Sequence, residues 1–455
     1  MSQALESDEP TTRRELRNLL LFAGCVGMQY LAAPVMYVGA THAALLDELK
    51  ATSAFANAPE VLFMVCAAAP VFVSLLFPSV RWLKPLLSMS YLGAALGTGL
   101  VAIAVLAKLP GEVVRMAVLA QAVLTGLTIP TAITLVWEAM ARGVRESRRG
   151  AALALAYGGG PLLAAVGAII SELLLKGELW GWRAWPAPEF PYSYGFVFLF
   201  AVVPMLTAAL LATQFRLPTG TEGGAKAEES TGADGEGLGL LGFVRDSLLL
   251  KVALVTVLLY AGNTIMANLT LYNREVQGAA PTEYVMEQFA ARFLTKAMAG
   301  VALGMLLAGT SPRAGLLATG LVYLGAPLYA AFASGFWYLL TFPLYGAGEL
   351  VGVYAPNYLL SASRPGELRR NMAISNLLMV PAAPLGLLFG WVADWVGQRW
   401  GKTLGFQVSF LLCAAIMGLG LLLAWVWLPR HPRTAEAVAG EEAASSKLGS
   451  VRESY

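Results

Sequence analysis

The chain has 455 residues, of which 57% are hydrophobic and 13% charged, with a mean hydropathy of +0.63. Counted with glycine and without tyrosine, the apolar share is roughly 64% against about 45–50% in soluble domains, too much for a water-exposed surface to hide. The net charge of +2, from 31 basic and 29 acidic residues, gives no basic field for nucleic acid, and the composition also excludes a disordered, collagenous or disulfide-framework chain.

A membrane-spanning helix needs about 20 mostly apolar residues. The first predicted span, 17–38, follows Arg13, Arg14 and Arg17 and has Pro34 after Ala32-Ala33. It is too long for a signal-peptide core and reads as an uncleaved span. Five more follow at 58–79, 85–107, 113–140, 151–175 and 194–215. Residues 218–239 (PTGTEGGAKAEESTGADGEGLG) have almost nothing to bury and read as a flexible linker. Six further spans are predicted at 247–272, 286–308, 313–333, 336–361, 372–393 and 403–428, before a polar tail.

The expected fold class is therefore an all-α integral membrane protein of twelve transmembrane helices in two parallel six-helix repeats. The domains are a cytoplasmic N-terminal tail (1–16), a six-helix bundle (17–215), a cytoplasmic linker (216–246), a second six-helix bundle (247–428) and a disordered cytoplasmic tail (429–455). An even number of spans puts both termini on one side. With the N-terminus inside, twenty of the 31 basic residues fall on inner segments, the bias expected of cytoplasmic loops. Glu146-Ser147-Arg148-Arg149 before span 5 is matched by Glu367-Leu368-Arg369-Arg370 before span 11, about half a chain later. This favours two parallel repeats.

Soluble-enzyme chemistry has no foothold. Cys25, Cys66 and Cys413 lie far apart in apolar runs and read as small buried hydrophobes. His42 and His431 have no metal-ligand neighbours, and no HExxH, GxSxG or GxxxxGK[ST] motif is present. No enzyme activity, metal or cofactor is expected.

Charge at bilayer depth costs at least ~2.5–3.5 kcal/mol, so a residue kept there should face a partner or a watery cavity. Lys296, ten residues into span 8, is about 15 Å deep, and Glu349, thirteen into span 10, about 20 Å. Gln29, Tyr30, Asn263 and Gln121 collect at similar depths. Two readings stand: an ion pair and amide bonds that join helices, or a midplane substrate and coupling site. At the inner face, Glu138, Glu146, Arg148, Arg149, Glu367, Arg369 and Arg370 are either solvated topology signals or a cytoplasmic gate that pairs across the halves.

Twelve spans, a polar central loop and Arg-rich loops before spans 5 and 11 make residues 13–430 resemble the major facilitator superfamily. The superfamily's signature between spans 2 and 3 is reduced to Leu76-Phe77-Pro78-Ser79-Val80-Arg81-Trp82-Leu83-Lys84. Its copy between spans 8 and 9 is only Gly309-Thr310-Ser311-Pro312-Arg313. A closer local match, Gly390-Trp391-Val392-Ala393-Asp394-Trp395-Val396-Gly397-Gln398-Arg399, is placed by this topology in the outer loop after span 11. These departures point to a divergent subfamily. Gly160-Pro161 and Gly167 are similar to part of an antiporter motif, or simply let helices pack closely. The resemblance implies that spans 1, 4, 7 and 10 line a central cavity, which would hold Gln29, Tyr30, Gln121, Asn263 and Glu349.

The expected function is secondary active transport of a small solute across the inner (plasma) membrane by alternating access, with proton coupling. Glu349 would carry the proton, Lys296 would hold its charge or receive an anionic substrate group, and Gln29, Tyr30, Gln121 and Asn263 would orient the solute. The expected partners are the solute, membrane lipid and protons, with no nucleic acid, and the chain is expected to be a monomer. The alternatives are a lipid flippase of the same fold and a transport-inactive receptor or scaffold.

Overall fold

The computed structural model describes residues 12–144, 148, 152, 154–217, 243, 245–307, 310–363, 377, 380–430 and 432, except 78, 180–181 and 187–188. Among them, nine helical segments are long and apolar enough to cross a bilayer. Large side chains such as Phe332 (77% exposed) and Leu210 (67%) point outward, as lipid-facing positions do, whereas tyrosines, alanines and glycines fill the interior.

The N-terminal set of helices comprises α1 (Thr12–Leu31), α2 (Ala33–Met36), α3 (Ala40–Glu48), α4 (Ser53–Cys66), α5 (Ala69–Leu76), α6 (Leu83–Leu106), α7 (Gly111–Gly143), α8 (Gly159–Lys176) and α9 (Tyr192–Thr213). A two-residue hairpin, β1 (Glu178–Leu179) and β2 (Trp182–Arg183), pairs antiparallel between α8 and α9. The C-terminal set comprises α10 (Ser247–Leu259), α11 (Met266–Leu271), α12 (Asn273–Gln277), α13 (Val285–Leu307), α14 (Pro312–Phe332), α15 (Thr341–Gly348), α16 (Val351–Ala362), α17 (Pro384–Trp400) and α18 (Lys402–Trp427). Local chemistry sets several ends. Thr52, Asp246 and Ser311 accept from backbone N–H groups of the first turns of α4, α10 and α14. Gly177 and Gly278 end α8 and α12 with φ of 73° and 68°, a conformation that glycine adopts without steric cost.

The helix that begins at Thr12 starts five residues before the expected span. Span 11 differs more. The outer loop expected at Gly390–Arg399 is helical, because α17 runs on to Trp400. Along it Trp391 stacks on Trp395, Trp400 meets Trp395 edge-on and Arg399 lies 4.2 Å over the Trp395 ring, an amphipathic arrangement suited to a membrane–water interface. The expected first half of span 11 falls mostly outside the described residues.

Within the N-terminal set, α6 packs along α7 and α9, and α1 along α8 and α9; within the C-terminal set, α18 packs along α14 and α17. The two sets meet where α8 lies on α13, α4 on α17, and α3 on α11. Small residues allow the closest approaches. A Cβ on Gly167 would stand 2.0 Å from the Leu31 carbonyl oxygen, and one on Gly346 2.0 Å from that of Arg292. Gly346→Ala is therefore expected to push α15 off α13 and cost about 1–3 kcal/mol. Thermal unfolding in detergent should show it, and an unchanged melting temperature would contradict the packing described.

Candidate functional site

Several helical segments lose their regular ladder, and three of these breaks bear on the charged residues. The segment after α1 is interrupted at Ala32 and again at Tyr37–Gly39. The segment from Ser247 to Gln277 passes through a 3₁₀ turn at Tyr260–Ile265, between α10 and α11. The segment from Thr341 to Ala362 breaks at Glu349-Leu350, between α15 and α16. Mid-helix 3₁₀ stretches and broken helices free backbone groups and mark binding sites in transporters.

Glu349 sits at the last of these breaks, and its carboxylate is gripped by two cations from α13. Arg292 donates from Nε to Oε2 at 2.8 Å and from Nη2 to Oε1, while Lys296 Nζ reaches Oε2 at 3.5 Å. The three side chains are 6%, 14% and 8% exposed for Arg292, Lys296 and Glu349. Four residues apart on one helix, the two cations share a face. Aromatic rings enclose them: the Arg292 guanidinium lies 4.9 Å from the Tyr345 ring centroid, 5.2 Å from Phe293 and 5.5 Å from Tyr37. Tyr37 and Tyr30 come from the N-terminal set and pack on Phe293 at 5.1 and 6.2 Å. Charge from one set of helices therefore faces aromatic wall from the other.

The other expected residues separate into two groups. Asn263 stays near the charges: its Oδ1 accepts from the Tyr323 hydroxyl, its carbonyl accepts from Tyr345 at 3.3 Å, and those two rings are 5.2 Å apart. Tyr30 forms part of the aromatic wall. Gln29 instead donates to the Tyr91 hydroxyl at 2.7 Å, and Gln121 bonds His42 at 2.8 Å and Thr125 at 2.9 Å, so these amides join N-terminal helices to one another. Among the gate residues, Glu138 accepts from Arg142 one turn on, and Arg148 lies 3.7 Å from Glu15. Glu146, Arg149, Glu367, Arg369 and Arg370 lie outside the described residues.

Sequence reading missed Arg292 and Glu60. Arg292 lies six residues into the expected span 286–308, and its i, i+4 relation to Lys296 marks it as a partner. Glu60 lay two residues inside a span expected to begin at 58; α4 begins at Ser53, which carries Glu60 inward to 7% exposure.

At the end opposite Thr12, polar contacts tie the two sets together. Lys176 Nζ meets Glu287 Oε1 at 2.5 Å, Arg274 Nη2 meets Asp47 Oδ2 at 2.7 Å, and Thr282 bonds Tyr194 at 2.8 Å. Asp394 accepts from the backbone N–H groups of Ser53 (3.2 Å) and Ala54 (2.9 Å), closing α17 over the N-terminus of α4. Asn57 donates to Asn268 at 2.8 Å, and Asn268 in turn to Ser409 at 2.8 Å. Burial pushes the Asp47 carboxyl above its ordinary range, with Arg274 acting in the opposite sense. A cavity of about 260 Å³ lined by Asp47, Arg274, Asp394 and Lys402 opens beside this clasp, among other residues.

No protein-family model matches the chain, and no curated protein matches it in sequence. Solved structures do match in shape. A D-xylose-proton symporter superposes with a TM-score of 0.68 at 12% identity, covering 92% of this chain and 100% of the symporter. The nucleoside transporter NupG gives 0.64 at 11%, covering 92% and 100%. The Escherichia coli fucose:proton symporter, in a singly substituted form, gives 0.55 at 15%, covering 89% and 98%. At these identities the likeness shows the fold.

Proposed function

We propose, for a chain that has the fold of the major facilitator superfamily, the role of a secondary active transporter that moves a small solute by alternating access of two six-helix halves, 17–215 and 247–428. The observation that carries this reading is the Arg292–Lys296–Glu349 cluster, set at a helix break in the C-terminal half against an aromatic wall from the N-terminal half. A buried ion pair is weak evidence for stability, since apolar replacements are often as stable; two cations on one carboxylate leave a surplus positive charge that an anionic solute group would satisfy. Tyr30, Tyr37 and Asn263 would orient the rest of the solute. When the solute engages Arg292 and Lys296 it loosens their hold on Glu349, which then accepts a proton more easily. Both termini and the linker lie in the cytoplasm of the inner membrane, by the positive-charge bias. The clasp is then at the outer face, and this conformation is closed to the outside.

The test is uptake into proteoliposomes with an imposed pH gradient, screening small carboxylates and phosphates against neutral sugars and nucleosides. Gradient-driven accumulation of an anionic solute, lost in Arg292→Gln, is expected. Accumulation of neutral solutes alone would overturn the anion assignment, and no accumulation of any solute would overturn proton-coupled transport.

A further inference from the structure

We propose that Glu60 is a proton-binding site of the N-terminal half, and that it must hold a proton for the outer end to close. The inference rests on the alternating-access reading above. It adds a residue from the other half, on a helix outside the four expected to line the cavity.

Glu60 lies seven residues into α4 from Ser53, about 10 Å along the helix axis. It is 7% exposed, and its Oε2 has no hydrogen-bond partner among the described residues. That oxygen stands 3.7 Å from where a Cβ on Gly39 would be, with Gly39 at φ 150° in the break after α2. It is within electrostatic reach of Arg292 and Glu349. An ionised carboxylate at this depth needs a cation or several N–H donors. The nearby cation is already held bidentately by Glu349, so in this closed state Glu60 is accommodated as the neutral acid. When α4 and α17 part at the clasp, water reaches Glu60 and the carboxylate can ionise. Closure and protonation are thereby linked: each favours the other by the same factor. Binding makes one O–H bond with a proton from outer water, the proton stays on Glu60 while the outer end is closed, and reopening of that end returns it to outer water.

Other groups could confer pH dependence and must be separated from Glu60. Arg292 on α13, Glu349 at the break after α15 and Tyr345 on α15 lie within electrostatic reach of it, Lys296 lies one turn beyond Arg292, Asp394 on α17 stands at the start of α4, and His42 lies on α3. Asp47 titrates at the clasp itself.

The experiment measures outer opening without any solute. Spin labels are placed on cysteines at Glu112 and Glu283, which are exposed on opposite halves at the outer end, in a Cys66→Ala background. Cys25 and Cys413 are fully buried. In nanodiscs the label distance should lengthen as pH rises, with a single midpoint. Glu60→Gln, which mimics the protonated acid, should stay at the short distance across the range, and Glu60→Leu should do the same if the amide misfolds. Asp47→Asn, which removes the Arg274 partner at the clasp, should lengthen the distance at every pH yet keep a pH-dependent transition. A wild-type distance that ignores pH, a midpoint that survives in Glu60→Gln, or one lost in Asp47→Asn but kept in Glu60→Gln would each overturn the proposal. Because no solute is present, such a failure leaves the transport reading standing, and a failed uptake screen leaves this measurement interpretable.

Discussion

Glu349→Gln is expected to be the most damaging single substitution in the membrane region, because it orphans two buried cations at once. Removing one partner of a buried ion pair typically costs about 3–5 kcal/mol, and here the carboxylate serves both Arg292 and Lys296. Arg292→Gln should cost less, since Lys296 and Glu349 remain as a balanced pair, and Lys296→Gln least, since the 3.5 Å contact is the longer one and the bidentate pair survives. Adding Lys296→Gln to Glu349→Gln should recover part of the lost stability by removing one orphan. Melting temperatures of the four variants give the order directly, and a Lys296→Gln loss exceeding that of Glu349→Gln would refute it. In the same preparations, Glu349→Gln should abolish gradient-driven accumulation yet retain solute exchange. Retained accumulation would remove Glu349 from proton coupling.

The second large effect is expected at the clasp. Exposed ion pairs contribute about 0.2–1 kcal/mol each, and a carboxylate at a helix N-terminus about 0.3–1 kcal/mol. Lys176–Glu287, Arg274–Asp47 and Asp394 over Ser53-Ala54 together amount to about 1–3 kcal/mol. Open and closed states of such proteins are separated by only a few kcal/mol. Lys176→Ala, Arg274→Ala and Asp394→Ala combined should therefore shift the population toward outer opening by about 5–150-fold. Label distances between positions 112 and 283 report it; a triple variant that stays closed would show that closure rests on apolar packing instead.

The broad fold was legible because apolar runs of bilayer length need no tertiary information. The depth arithmetic, which uses the fixed rise per residue of a helix, singles out Lys296 and Glu349, and the structure joins those two residues. What failed was the position of helix ends. Arg292 and Glu60 lie near the outer ends of their spans in sequence, where charge is inexpensive, and only the extension of α4 back to Ser53 and the packing of α13 against α15 reveal their burial. Gly390–Arg399 misled for a related reason. The span bounds placed most of it in an outer loop, yet α17 continues through it to Trp400 and carries three tryptophans suited to an interface. Gln29 and Gln121 show the limit of depth as a guide: depth alone does not say which way an amide points, and both are taken up by Tyr91 and His42.

The cluster of Arg292, Lys296 and Glu349 also has an electrical consequence. With both cations charged and the carboxylate ionised, the empty site carries one surplus positive charge inside the bilayer, and all of it belongs to one half. A charge that crosses the whole membrane field responds by about 2.3 kcal/mol per 100 mV. In the proposed cycle, any fraction of that field traversed as the halves rock would bias the empty carrier toward the negative side of the membrane, and a bound monoanion together with the proton taken up by Glu349 would leave the same surplus on the loaded carrier. The resting potential would thus act alike on the loaded and unloaded steps, and uptake of a monoanion with one proton would move no net charge.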